Sequence, residues 1–370
     1  MKFLLACGGS GGHINPALSV AGLLREEGHE VLFVGAPQGL ERDLVPREGF
    51  PIEFVAVRSL SHSLSPRAAI RNIGTLFQMK GALRAARRII RDFAPDAALG
   101  MGGYASYPPI RAAAGLKIPV LVHESNALPG VTTRVLAKYA DKILVGMEAC
   151  RDAYARQDRV AVVGTPVRGE FFSADRIAAR ETLRLDNRPL IVSFFGSQGA
   201  RDMNAMMLEL MLLEQESGCP WQHIHVTGAK AYGEITTRAC EHGLRTKEGL
   251  RVEQYIYNMP DVMAAADLVI CRAGASTLAE LAASRSPSLL IPSIHVANDH
   301  QTANAKAFSA AGGAVMKPES GLSAIVLYDL IKDLLQNKDN LDKMKESLGK
   351  LSTPDAARQI KDLLIEAAIP

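Results

Sequence analysis

A chain of 370 residues, 48% apolar and 22% charged, is too long for one ordinary core and too apolar to be disordered or fibrous, so two globular domains are expected. No apolar run reaches the roughly 18–20 residues that cross a bilayer. The opening Met1–Ala6 run meets glycine too soon to be a secretory signal.

Cys7, Cys150, Cys219, Cys240 and Cys271 are scattered without C-x-x-C spacing. That argues against a disulfide framework or a zinc site and suits a cytosolic protein. The net charge of +3 is uneven: residues 1–168 carry 21 Lys/Arg against 14 Asp/Glu, and the remainder 21 against 25. A basic first half points to an anionic partner.

In chain order, Lys2–Ala6 reads as a strand and Gly8-Gly9-Ser10-Gly11-Gly12-His13 as a loop. A helix follows, with Asn15 as N-cap, Pro16 at its first position and Gly28 as its stop. Glu30–Gly35 is the next strand, and apolar runs at Ala97–Leu99, Val120–His123, Ile143–Val145 and Val160–Val163 continue the rhythm. After a linker near Gly164–Arg180 the pattern restarts. Leu190–Phe195 enters Gly196-Ser197-Gln198-Gly199, and strands follow near Gln222–Thr227, Arg251–Tyr257, Asp267–Cys271 and Ser288–Pro292. Strands alternating with helices predict α/β architecture: two doubly wound, Rossmann-like lobes of parallel sheet, with the ligand site in the cleft between them.

The loops at strand ends carry the candidate chemistry. Glycines let backbone N–H groups approach an anion, and a helix N-terminus adds a positive dipole end. A dinucleotide fold is disfavoured: the third glycine of G-x-G-x-x-G is replaced by Ile14, and no acid closes the second strand at Phe33–Ala36. His13 is a base, a donor to phosphate or a structural cap. Gly100-Met101-Gly102-Gly103-Tyr104 forms a second glycine loop on the same edge, and the two together suit a diphosphate without metal. His123-Glu124-Ser125-Asn126 is either a hydrogen-bond network or a group that orients His13 or a substrate hydroxyl.

In the second lobe, Arg272-Ala273-Gly274-Ala275-Ser276-Thr277 precedes Glu280 by one helical turn. This reads either as a phosphate loop with a ribose-binding carboxylate, or as a Ser276 N-cap with Glu280 on a solvated face. Asn298-Asp299-His300-Gln301 offers donors to sugar hydroxyls. There is no D-x-D, so no metal is expected, and helix N-termini and arginines such as Arg168 are left to meet the leaving-group charge.

No acid lies between Glu53 and Asp92, whereas Arg58, Arg67, Arg71, Lys80, Arg84, Arg87, Arg88 and Arg91 do. The last five share one helical face, with an apolar set at Ile70, Ile73, Leu76 and Phe77 upstream. This is either a device that lies on anionic lipid or a solvated helix with an ordinary buried face. Nucleic acid is disfavoured, because no aromatics are interleaved to stack bases.

Read together, the ordered set resembles the MurG family of bacterial peptidoglycan N-acetylglucosaminyltransferases over nearly the whole chain. The matching pieces are the first loop through Pro16-Ala17, Gly102-Gly103-Tyr104, His123-Glu124 with Asn126, Pro166-Val167-Arg168, Gly196 to Arg201, Arg272 to Glu280, and Gln301 with Asn304. The resemblance implies a GT-B architecture: residues 1–166 as the acceptor and membrane lobe, 167–355 as the donor lobe, and 356–370 as a helix packing back on the first lobe.

It implies UDP-GlcNAc as donor, lipid I (undecaprenyl-pyrophosphoryl-MurNAc-pentapeptide) as acceptor and lipid II as product, with inversion and without cofactor or metal. It also implies a peripheral place on the cytoplasmic face of the cell membrane, with the anionic membrane surface and other cell-wall synthesis proteins as partners. By the same resemblance Arg168, Ser197, Ile256, Ala275, Ser276, Thr277, Glu280 and Gln301 bind donor, and Ser10, Gly11, Gly12 and Asn126 reach its GlcNAc. Gly9, Gly102, Gly103 and Tyr104 hold the acceptor, with His13 as base and Glu124 as its rival. Arg84, Arg87 and Arg88 face the membrane.

Phe195, Thr165 and Ser125 depart from the family pattern, and Phe195 is expected to disturb the diphosphate. The competing readings are another GT-B lipid glycosyltransferase, a UDP-GlcNAc 2-epimerase, and a non-catalytic membrane-bound scaffold for nucleotide sugar.

Overall fold

The computed structural model describes every residue except 58–65, 197–198, 245–248, 295, 297–298 and 370, and of residues 66–77 only the backbone. Ser197, Arg58 and Asn298, and the side chains of Ile70, Ile73, Leu76, Phe77, Arg67 and Arg71, therefore lie outside the described residues.

The chain forms two compact units: residues 1–168 with 353–370, and residues 169–352. The first holds seven strands: β1 (Lys2–Ala6), β2 (Glu30–Gly35), β3 (Ile52–Phe54), β4 (Ala97–Gly100), β5 (Val120–Glu124), β6 (Lys142–Val145) and β7 (Val160–Val162). All pair in parallel, in the order β3-β2-β1-β4-β5-β6-β7. The second holds β8 (Leu190–Phe194), β9 (Gln222–Val226), β10 (Leu250–Glu253), β11 (Leu268–Cys271), β12 (Ser288–Leu290) and β13 (Val315–Met316), parallel in the order β10-β9-β8-β11-β12-β13. Strands buried on both faces by helices read as continuous apolar runs, and Phe3, Leu4, Leu5, Leu190, Ile191 and Val192 are all fully buried.

In each sheet the winding direction reverses once, between β1 and β4 in the first unit and between β8 and β11 in the second. Loops at the carboxyl ends of such a strand pair open a crevice where ligands bind in open α/β sheets. The two glycine loops follow β1 and β4, whose last residues Ala6 and Gly100 are in register. Gly196 and Arg272–Gly274 follow β8 and β11, where Phe194 pairs with Cys271. The restart of the pattern after the linker is thus a repeat of topology.

Three local expectations are corrected. The first helix runs Gly11–Glu26, with Ser10 rather than Asn15 as its N-cap. The extended Ser10 presents its carbonyl to the amides of His13 and Ile14 at 3.0 and 3.3 Å, which closes the first turn before Pro16 is reached. Pro16 is buried inside the helix. His13 consequently stands in that first turn and not at a loop tip. The strand expected over Arg251–Tyr257 ends at Glu253, which leaves Ile256 in a loop between the exposed Tyr255 and Tyr257. The short edge strands β3 and β13 carry too little pattern to be read from sequence.

The helix Ala356–Ala368 belongs to the first unit and packs on Gly11–Glu26. Ile360 and Leu364 are fully buried in the core beneath β1 and β4, and Lys361 is ion-paired with Glu27.

Candidate active site

In the first unit the two glycine loops touch backbone to backbone. A Cβ on Gly103 (φ +78°) would overlap the carbonyl oxygen of Gly8, and one on Gly9 (φ +89°) would stand 3.3 Å from the Tyr104 ring. Only glycine accepts both the left-handed backbone and this approach. His13 lies between the loops. Its Nδ1 is 3.1 Å from Ser10 Oγ and 3.2 Å from the Gly8 carbonyl, and a Cβ on Gly102 would meet its ring at 2.7 Å. Gly11 and Gly12 supply first-turn amides of a helix with no acid in that turn, the partial positive end of its dipole.

Glu124 ends β5 and is 4% exposed. One oxygen accepts the Asn126 backbone and side-chain N–H groups at 3.1 and 2.8 Å, and the other the Gly130 N–H at 2.8 Å. These bonds shape the Ser125–Gly130 loop and aim Asn126. The buried His123 donates from Nε2 to the Gly164 carbonyl at 2.8 Å. Burial pushes its pKa down, outweighing that bond and the Glu124 charge, which both raise it. Ser125 and Thr165, two of the family departures, are buried, with Ser125 Oγ 3.5 Å from His123 Nδ1. Burial and then the Glu41 carboxylate push the Tyr104 hydroxyl up.

In the second unit the helix Ala275–Ser284 starts directly after β11, with Gly274 as its N-cap. Leu278 N–H bonds the Gly274 carbonyl at 3.0 Å, so the amides of Ala275, Ser276 and Thr277 form the first turn. Ser276 is inside the helix, which corrects its reading as N-cap. Glu280 is half-buried one turn on, and its charge adds to burial in raising the Cys271 thiol pKa.

The loop is held from behind. Arg272 pairs with Glu319 at 2.6 Å and donates to the Ile291 carbonyl at 3.0 Å, and the fully buried Asn304 donates to the Ala273 carbonyl at 3.0 Å. Gln301 Oε1 accepts the Ser293 N–H at 2.9 Å. Arg168 is exposed at the close of the first unit's leading segment.

Phe195, another of the family departures, directly follows β8. Its ring is 4% exposed in the core under the sheet, with the Arg272 guanidinium 5.7 Å above it. Gly196 follows with φ +94°, and a Cβ there would meet nothing within 4 Å among the described residues. Beneath it a buried polar chain crosses β8 and β9: Trp221 donates to Glu214, Glu214 meets His223, and Ser193 Oγ joins His223 and His225 at 2.8 and 2.7 Å. Burial and then His223 push the His225 pKa down to about 3.

Sequence reasoning missed Glu41, Asn304 as a loop anchor, and the Arg272–Glu319 tie. Glu41 is fully buried under the first glycine loop. An acid in the first turn of the short helix Glu41–Arg47 reads as a solvated dipole partner; the only hint otherwise was its place beside Gly35 and Gly39.

Residues 3–145 match the glycosyltransferase family 28 N-terminal domain, and residues 190–360 its C-terminal domain. The UDP-N-acetylglucosamine–N-acetylmuramyl-(pentapeptide) pyrophosphoryl-undecaprenol N-acetylglucosamine transferase of Thermoanaerobacter sp. strain X514 is 38% identical over 98% of this chain and 99% of its own length. The Halalkalibacterium halodurans protein of the same name is 35% identical over the full length of both. The crystal structure of Acinetobacter baumannii MurG superposes with a TM-score of 0.77 at 27% identity, covering 99% of each chain. A UDP-GlcNAc 2-epimerase from Neisseria meningitidis shares the fold, with a TM-score of 0.67 at 14% identity. The two switch-point loops in each unit, the parallel sheets and these full-length likenesses agree: the chain belongs to the MurG family of glycosyltransferase family 28, the UDP-N-acetylglucosamine–N-acetylmuramyl-(pentapeptide) pyrophosphoryl-undecaprenol N-acetylglucosamine transferases.

Proposed function

We propose that the protein transfers GlcNAc from UDP-GlcNAc to the MurNAc 4-hydroxyl of lipid I, making lipid II with inversion and without a metal. The observation that carries this reading is the His13 ring seated between two touching glycine loops at the switch point of the first sheet. His13 takes the proton of the 4-hydroxyl as its oxygen attacks the anomeric carbon, and UDP leaves from the opposite face. The acceptor diphosphate rests on Gly9, Gly102, Gly103 and Tyr104, while Ser10, Gly11, Gly12 and Asn126 reach the GlcNAc.

The second unit holds the donor. Amides at Ala275–Thr277 take the diphosphate together with Ser197 and Arg168, Glu280 the ribose, Ile256 the uracil through its backbone, and Gln301 the sugar. Transfer of labelled GlcNAc to a short-chain lipid I analogue, with and without EDTA, tests the reading. Label in the glycolipid under both conditions supports it. Epimerised sugar without acceptor, or UDP binding without turnover, overturns it. In the same assay Glu280→Ala should raise the donor KM about tenfold or more, because a charged hydrogen bond is worth about 1.5–3 kcal/mol. An unchanged donor KM removes Glu280 from the ribose.

We also propose that the first unit sits on the cytoplasmic face of the membrane through the helix Pro66–Phe93. Its Ala82, Ala86 and Ile90 are buried in the core, while Lys80, Arg84, Arg87, Arg88 and Arg91 are exposed on the other side. At about 1 kcal/mol per basic residue near anionic lipid, reversing Arg84, Arg87 and Arg88 to Glu should weaken sedimentation with phosphatidylglycerol vesicles at least 100-fold. Turnover of a soluble acceptor should be spared. Unchanged sedimentation would reduce the stripe to solvated surface.

A further inference from the structure

The glycines around the first loop converge on one group. A Cβ on Gly8 would stand 2.5 Å from Glu41 Oε1, one on Gly35 2.5 Å from Glu41 Cγ, and one on Gly39 would overlap the carboxylate. Glu41 is fully buried and spends its oxygens on two backbone amides: Oε1 accepts from Ala36 at 2.9 Å and Oε2 from Gly9 at 3.1 Å. A carboxylate is costly to bury unless so satisfied, and charge-assisted bonds of this kind are the strong ones.

The Gly9 N–H and the Gly8 carbonyl belong to the same peptide unit. No peptide bond among the described residues is cis, and a planar trans peptide points its N–H and its carbonyl in opposite directions. With the N–H drawn to Glu41, the Gly8 carbonyl faces away, 3.2 Å from His13 Nδ1. A carbonyl oxygen only accepts, so this contact calls for the proton on Nδ1, with the Ser10 hydroxyl oxygen accepting a share of it at 3.1 Å, and that tautomer places the lone pair on Nε2. Nε2 is the nitrogen that abuts the second loop, 3.0 Å from where a Gly102 Cβ would stand.

We propose that Glu41 is a positioning residue for the transfer: through the single Gly8–Gly9 peptide it sets the orientation and the tautomer of His13, leaving Nε2 as the proton acceptor. The proposal rests on the reading of His13 as base. Hydrogen bonds in series polarise one another, so the buried charge also strengthens the carbonyl that holds the ring.

Glu41→Gln keeps the shape but offers one accepting oxygen to two amides and turns an NH2 against the other. The peptide plane is then released. The expected result is a fall in kcat of about 10–100-fold, part of the 10²–10⁴ a general base supplies, with the donor KM within about twofold. Long-range ¹H–¹⁵N correlation spectra of the intact protein should show His13 protonated on Nδ1 in the wild type and mixed between the two nitrogens in Glu41→Gln. Unchanged kcat, or a lowered kcat with an unchanged tautomer, overturns the proposal. If Glu41→Gln does not fold, the wild-type spectrum decides: Nδ1–H supports the proposal and Nε2–H overturns it. A fully active His13→Ala would remove the base reading, while the tautomer shift would still decide the link from Glu41.

Discussion

His13→Ala should lower kcat by about 10²–10⁴-fold, the usual worth of a general base, while the donor KM changes little. The ring touches only first-unit groups among its described partners: Ser10, Gly8 and the Gly102 face. Its loss therefore removes a group needed when the acceptor hydroxyl attacks and leaves the nucleotide's amides in place. The comparison with Glu124 is decisive because that carboxylate already accepts three N–H groups of its own loop. Glu124→Gln should loosen Asn126 and raise the donor KM with a smaller change in kcat. Steady-state kinetics with both substrates varied separate the two. A His13→Ala enzyme with normal kcat beside a Glu124→Gln enzyme lacking turnover would exchange the assignments.

Gly103→Ala should damage both fold and activity. A left-handed backbone (φ +78°) costs a non-glycine residue about 1–2 kcal/mol. The new methyl overlaps the Gly8 backbone, which no rotamer can relieve, and such crowding costs about 1–3 kcal/mol more. A total near 3 kcal/mol lowers Tm by roughly 6–12 °C in a unit of this size. Prising the loops apart also displaces His13, and misplacement by about 1 Å is worth about 100-fold in rate. Gly11→Ala is the control. Its Cβ would meet nothing nearer than Asn15 Nδ2 at 3.9 Å, and Gly11 is not left-handed. Tm should hold there, so any lost turnover reports substrate approach to the helix N-terminus. A Gly103→Ala protein with normal Tm and normal kcat would mean that the two loops need not touch.

The alternation of strand and helix was legible because a strand covered on both faces is a continuous apolar run, as in Phe3–Ala6 or Leu190–Val192. The glycine loops were legible because glycine at a strand end has few other uses. What escaped depends on partners distant in sequence. Pro16 suggested a helix start by local rule, yet the Ser10 carbonyl had already closed the turn at His13 and Ile14. Phe195 read as an intruder because nothing local says on which side of the sheet a ring falls; the core around Met203 and Met207 takes it. Glu41 was invisible for the opposite reason. Its partners are the amides of Gly9 and Ala36, and backbone amides leave no mark in a sequence.

The helix Ala356–Ala368 closes the core of a unit whose strands are all made before residue 169. On the ribosome, β1 and β4 must therefore wait, with the face meant for Ile360 and Leu364 still wet, until the whole of Gly169–Ser352 has been translated. The second unit can mature while the first is still unfinished, so His13, the proposed base, is among the first residues synthesised yet belongs to the unit completed last.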